Sequence, residues 1–178
     1  MVGLTCYQYL LISLLIAAVL MDFAYDRIYN GWILFGIMIG LLFRFLEYQW
    51  HGLYEAAVSM LLSFALLYPL YKINGFGAGD VKLFLMLGSF VQAGELLRMM
   101  IASFIIGAVF SIVKMLSEKN LRERIQYLYE YLSDVFHKKQ WRLYGENLQW
   151  DYQGYMSNKI HFALPVLLSA ALWSGGFF

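Results

Sequence analysis

The sequence predicts an all-α polytopic membrane protein with about six transmembrane helices and its N-terminus outside. The chain of 178 residues is 61% hydrophobic and only 14% charged, whereas soluble domains contain about 45–50% apolar and about 25% charged residues. The apolar residues lie in long runs, and the Lys and Arg residues fall almost entirely on one side of the resulting topology. We therefore expect a single membrane-embedded domain over residues 1–178.

A spanning helix needs about 20 mainly apolar residues. The candidate spans lie at about 4–24, 31–46, 53–71, 80–94, 97–116 and 160–177. The first could imitate a signal-peptide core, but the first Lys or Arg is Arg27 and no small-residue cleavage site precedes Asp22. We interpret it as a retained helix. The fourth is short and flanked by Gly79 and Gly94, so a re-entrant or tilted helix is the alternative there.

The charge distribution favours six spans. If every segment crosses, the opposite side receives only Arg44 and Arg98, and the N-terminus is outside under the positive-inside rule. If the fourth segment did not cross, the large basic block would move outside. The residues on the cytoplasmic side are then Arg27, Lys72, Lys82, Lys114, Lys119, Arg122, Arg124, Lys138, Lys139, Arg142 and Lys159.

Residues 117–158 form an insertion that is polar and rich in aromatic residues. Leu121, Ile125, Leu128 and Leu132 repeat at helical spacing among charged residues. Because Tyr and Trp favour the headgroup layer, we expect an amphipathic helix near 117–138 along the cytoplasmic membrane surface, before the last span. The remainder of the insertion is predicted to be a loop.

Two glycines of the second segment, Gly36 and Gly40, have the GxxxG spacing that lets helix backbones approach closely. We favour packing within the protein over a dimer interface. A single cysteine, Cys6, excludes an internal disulfide. The net charge of +1 gives no indication of a nucleic-acid partner.

Two aspartates lie at the ends of predicted apolar segments, where placing a carboxylate in the membrane costs free energy. Asp22 ends the first apolar segment and Asp80 begins the fourth. A charged residue at the centre of a spanning helix costs about 2.5–3.5 kcal/mol by insertion scales, so an intramembrane acid is a functional hypothesis by default. The predicted topology places both acids at the cytoplasmic ends of their helices, where they can act as a pair.

The glycines before Asp80 form the most specific motif, Gly77-Ala78-Gly79-Asp80. Glycine permits backbone dihedrals and close approaches that other residues resist. With the preceding Asn74 and Gly75, these glycines predict a flexible turn that brings Asp80 to a partner or a substrate.

The surroundings of both acids resemble the type IV prepilin peptidase family of GxGD intramembrane aspartyl proteases. Asp22 is followed, at the family's spacing, by Ile28-Tyr29-Asn30, and Gly77 to Leu83 match the family motif Gly-x-Gly-Asp-x-Lys-Leu. Gly88 and the stretch 160–165 also resemble family features. The resemblance covers nearly the whole chain except about 117–158.

The resemblance implies a catalytic dyad of Asp22 and Asp80, with Gly77, Gly79, Lys82 and Asn30 in supporting roles. It also implies a prepilin-like substrate whose short basic leader is cut at the cytoplasmic face of the inner membrane, after a Gly and before an apolar helix. We expect the lipid bilayer, the substrate and pilus-assembly machinery as partners.

The sequence departs from the family pattern at two points. Tyr29 stands where the family usually has proline, and the cytoplasmic CxxC domain of the larger, bifunctional members is absent. N-methylation of the cleaved pilin is therefore not implied. The chain looks like the small, single-domain peptidases.

The chemistry fits these residues independently. Peptide hydrolysis by two carboxylates needs one protonated and one ionised group with water between them. Because two close carboxylates repel each other, one stays protonated while the other is ionised, and the pair titrates as a unit. Which aspartate holds the proton is left open. We expect no metal and no cofactor.

Several alternatives stay open at this point. Asp22 could simply end its helix, Asp26 could replace it, and Asp80 could be a dipole-stabilised helix N-terminal residue. Lys82 could be an interfacial anchor, and Asn30 a turn cap.

The histidines are interpreted as structural or interfacial. They are His51, His137 and His161. At the level of function, the rivals are a non-catalytic pilus-assembly subunit and a small proton-coupled transporter or channel subunit.

Overall fold

The computed structural model describes residues 6–72, 76–117 and 161–177, and these residues contain five α-helices. These are α1 (Cys6–Tyr25), α2 (Asn30–Lys72), α3 (Ala78–Phe90), α4 (Ala93–Ser117) and α5 (Ala163–Ser174). The prediction of an all-α protein is confirmed for these residues. Three helices, namely α1, α2 and α4, are long and apolar enough to cross a membrane, and α5 is apolar but shorter. The number of six spans and the outside N-terminus stay predictions.

Helix α2 reverses direction at Gln49, whose backbone is not helical (φ 52°, ψ −137°). Arg44 and Glu55 form an ion pair of 2.8 Å across this point. Eleven residues of straight helix would separate them by about 16 Å, so the contact requires two arms, 30–48 and 50–72, that run in opposite directions. The sequence predicted two segments here, at 31–46 and 53–71, and the reversal accounts for both.

Helix α3 lies at the centre of the bundle. Leu83, Phe84, Met86 and Leu87 are each 0% exposed. Its 13 residues correspond to about 20 Å, which is less than the roughly 30 Å of a hydrocarbon core. The helix ends at Phe90, four residues before the predicted end of the fourth segment. Its apolar character on all sides therefore reflects burial among other helices rather than contact with lipid.

Small residues bring α3 and α2 close together. A side chain at Gly36 would meet Met86, and one at Gly40 would meet Phe90. Gly88 of α3 lies in turn against the backbone of the second arm of α2. The GxxxG spacing thus packs inside the protein, as the sequence indicated.

Much of the outward surface of the long helices is apolar, whereas several serines are buried in the bundle, namely Ser59, Ser63, Ser89, Ser103 and Ser169. On α4 the exposed aliphatic residues recur every four positions: Ile101, Ile105, Val109 and Val113. Ser103, on the buried face of the same helix, hydrogen-bonds Ser169 of α5 at 2.7 Å. This distribution, with the length of the helices, indicates a membrane protein.

The amphipathic helix and loop expected within 117–158 lie outside the described residues, apart from Ser117 at the end of α4. The expected turn at Asn74 and Gly75 also lies outside them.

Candidate active site

Asp22 lies in the last turn of α1 and is buried, with 8% of its surface exposed. Its Oδ2 is 3.1 Å from Nδ1 of His161, which lies two residues before the start of α5. The chain leaves the helix at Asp26, which has a positive φ of 54° and is exposed. Of the two candidate acids at this end of α1, Asp22 therefore faces the interior and Asp26 faces outward.

Asp80 lies in the first turn of α3 and is half-buried. Its Oδ2 accepts a hydrogen bond from the backbone N–H of Gly77 at 3.3 Å. The N-terminal end of a helix favours a negative charge. Asp80 thus occupies the helix N-terminal position that the sequence suggested.

The motif glycines provide room rather than unusual dihedrals. Gly77 has ordinary extended angles (φ −74°, ψ 148°), and Gly79 lies inside α3. The expectation of special backbone angles is wrong at these two positions, because the chain enters the helix directly from an extended residue. A Cβ on Gly77 would lie 3.0 Å from Oδ2 of Asp80. The expectation of a close approach is correct there.

Asn30 and Lys82 are in contact across 52 residues of sequence. Lys82 Nζ donates a hydrogen bond of 2.7 Å to Oδ1 of Asn30, the first residue of α2. A Cβ on Gly79 would be 3.9 Å from Ile28, so the α1–α2 connection lies against the first turn of α3. These two contacts join the segment that follows Asp22 to the helix that carries Asp80.

An aromatic cluster links the two acidic helix ends through the start of α5. The ring of Phe162, next to His161, lies 4.8 Å from Phe76 and 6.3 Å from Phe84. Phe76 and Phe84 flank the first turn of α3 in sequence, and His161 contacts the acid of α1. The two aspartates therefore border one junction, at the same end of the bundle.

His161 is the residue of this junction that the sequence did not reveal. It lies 139 positions from its partner, and no local spacing connects the two. His51, by contrast, is an exposed side chain 3.7 Å from Glu55 at the α2 reversal. His137 lies outside the described residues.

No group of three His, Cys, Asp or Glu side chains converges to form a metal site among residues 6–72, 76–117 and 161–177.

Comparison with known families matches residues 9–112 to the type IV leader peptidase family. This range is more than half of the chain and contains both aspartates and the Gly77–Leu83 motif. The chain belongs to the type IV leader peptidase family, and this family membership implies a peptidase. No curated protein and no solved structure matches the chain significantly.

Proposed function

We propose that this protein is an intramembrane aspartic endopeptidase that removes the short basic leader of prepilin-like substrates, with Asp22 and Asp80 as the catalytic dyad. The observation that carries the proposal is the position of both acids around one junction, where Asp22 contacts the start of α5 and Asp80 begins α3 beside the same aromatic cluster. Family membership supports the reaction class.

The proposed reaction needs both carboxyl groups and water. The ionised aspartate takes a proton from water, and the resulting hydroxide adds to the carbonyl carbon of the scissile peptide bond. The protonated aspartate gives its proton to the carbonyl oxygen. When the tetrahedral intermediate collapses, the first aspartate passes the proton taken from water to the leaving nitrogen, and the second aspartate recovers a proton from one hydroxyl of the intermediate. The C–N bond breaks, a carboxylic acid and an amine result, and both aspartates return to their starting protonation states.

The proposed substrate is the one that the family resemblance implies, and the location of the acids agrees with it. Both lie at helix ends, and in the six-span topology these ends face the cytoplasm. A prepilin-like protein would keep its basic leader in the cytoplasm and its apolar helix in the bilayer, so the bond between them would reach the junction. The protein would then be a multi-pass component of the inner membrane that acts beside pilus-assembly machinery.

The direct test is co-expression with a prepilin from the same genome. We expect Asp22→Asn and Asp80→Asn each to abolish leader removal, because neither amide can take up or supply the proton. The measurement is a gel shift of the prepilin with N-terminal sequencing of the product, and membrane fractionation checks that each variant inserts.

Asp26→Asn is the matched control. It makes the same chemical change four residues away at an exposed position, and Asn tolerates a positive φ as well as Asp does. We expect it to process the prepilin normally. Normal processing by either Asp22→Asn or Asp80→Asn would contradict the dyad, and a wild type that cleaves no prepilin would favour a non-catalytic assembly subunit.

A further inference from the structure

His161, near the start of α5, forms a hydrogen bond with the Asp22 carboxyl. Its Nδ1 lies 3.1 Å from Oδ2 of Asp22, and the side chains are 24% and 11% exposed. Both groups are thus largely shielded from water, which makes a hydrogen bond between them stronger than at a free surface. The matched family range ends at residue 112, so His161 lies beyond it.

Aromatic contacts hold the imidazole of His161 in place, one made by the ring itself and others by the neighbouring residue Phe162. The ring of Phe23, the residue after Asp22, stacks on His161 with centroids 4.4 Å apart and planes at 28°. On the other side, Phe162 is anchored in the aromatic cluster with Phe76 and Phe104. A side chain held in this way presents its Nδ1 to Asp22 in one orientation.

The hydrogen bond suits either protonation state of the acid. An imidazole Nδ1–H donates to an ionised carboxylate, and a neutral imidazole whose Nδ1 lacks a proton accepts from a carboxylic acid. In the proposed reaction Oδ2 of Asp22 faces His161, and the other carboxyl oxygen meets the water.

We propose that His161 is a positioning residue for Asp22 that fixes the carboxyl orientation needed for water activation. The inference rests on the proposed peptidase function. It makes the start of α5 part of the active site, through the hydrogen bond between Nδ1 of His161 and Oδ2 of Asp22.

Two substitutions separate this role from simple packing. His161→Phe keeps an aromatic ring that can stack on Phe23 but removes the hydrogen bond. His161→Asn removes the ring but retains an amide N–H donor at nearly the position of Nδ1. With purified protein and prepilin, we expect kcat of His161→Phe to fall about 10- to 100-fold at a KM within about twofold, as for the loss of a hydrogen bond to a charged group.

His161→Asn is expected to recover most of the lost kcat. Ser169→Ala is the packing control, because it removes a buried α4–α5 hydrogen bond of 2.7 Å without touching the junction. It is expected to lower thermal stability with little change in kcat. A fully active His161→Phe, or an equal loss of kcat in all three variants, would overturn the positioning role.

A second measurement tests the contact without requiring a substrate. In detergent-solubilised protein labelled with ¹⁵N-histidine, we expect the His161 resonances, assigned with His161→Asn, to change in Asp22→Ala and to stay unchanged in Asp26→Asn. Unchanged resonances in Asp22→Ala would overturn the contact itself.

These experiments distinguish a wrong positioning role for His161 from a wrong peptidase function. A wild-type protein that cleaves no prepilin contradicts the proposed function, and with it the role of His161, even if the ¹⁵N spectra show the contact. An active wild type with an equally active His161→Phe contradicts only the role.

Discussion

The missing side chain of Gly77 makes room for the Asp80 carboxyl to turn back onto the backbone. Oδ2 accepts the Gly77 N–H at 3.3 Å, and a Cβ on that glycine would lie 3.0 Å from the same oxygen. Real Cβ atoms seldom approach so closely, so a larger residue would push the carboxyl away. The glycine thus acts through space on the acid three residues later.

Gly77→Ala is therefore expected to displace the Asp80 carboxyl and to lower kcat about 10- to 100-fold, since small displacements of a catalytic group carry costs of that order. Gly79→Ala provides the comparison, because its Cβ would make only an ordinary contact of 3.9 Å with Ile28. Its effect is expected to be smaller. Prepilin cleavage rates of the two purified variants test this order, and a larger loss in Gly79→Ala would contradict the steric explanation.

At the scale of elements, the reversal of α2 depends on a largely buried ion pair. Arg44 has 8% and Glu55 has 25% of the side chain exposed, and their nitrogen and oxygen lie 2.8 Å apart. No described residue accepts a hydrogen bond from the Arg44 Nε. Arg44 therefore relies on Glu55 to offset the loss of its hydration.

We expect Glu55→Gln to destabilise the fold by about 1–3 kcal/mol, because it leaves the guanidinium without its negative partner. For a protein of this size, this corresponds to a decrease of Tm of about 2–4 °C per kcal/mol. Glu47→Gln makes the same change at an exposed position of the first arm of α2 and should leave Tm unchanged. Thermal unfolding in detergent is the measurement, and equal Tm values for both variants and the wild type would contradict a supporting role for the pair.

At the scale of the whole molecule, the contacts separate two ends of the bundle. Asp22, Asn30 and the start of α5 meet at one end. The reversal at Gln49 lies halfway along α2, about 28 Å of helix from Asn30. The positive-inside rule predicts that the acidic end faces the cytoplasm and the reversal faces outside.

Cysteine labelling tests this orientation. In a Cys6→Ser background, we expect His51→Cys, next to the reversal, to react with a membrane-impermeant maleimide in intact cells. Arg27→Cys, next to the acidic end, should react only after the membrane is permeabilised. Both side chains are exposed on the protein. The opposite labelling pattern would contradict the predicted topology.

Sequence periodicity and local motifs predicted the helices and the residues around Asp80, because these depend on neighbours in the chain. Apolar runs located α1, α4 and α5, and the GxGD motif identified the first turn of α3. The contact of His161 with Asp22 could not be found in this way, since it depends on how distant helices pack. The sharp reversal has no glycine or proline at Gln49 itself, and the glycine beside it, Gly52, shows its role only in the packed structure, where it lies against the backbone of Arg44.

The measurement that tests the central claim most directly is the rate of prepilin cleavage by purified Asp22→Asn, Asp80→Asn and the double variant. Groups that act as a unit show strongly non-additive losses. We predict that each single variant loses at least about 10³-fold in kcat and that the double variant is no slower than the slower single variant. Wild-type rates in either single variant would contradict a dyad formed by Asp22 and Asp80.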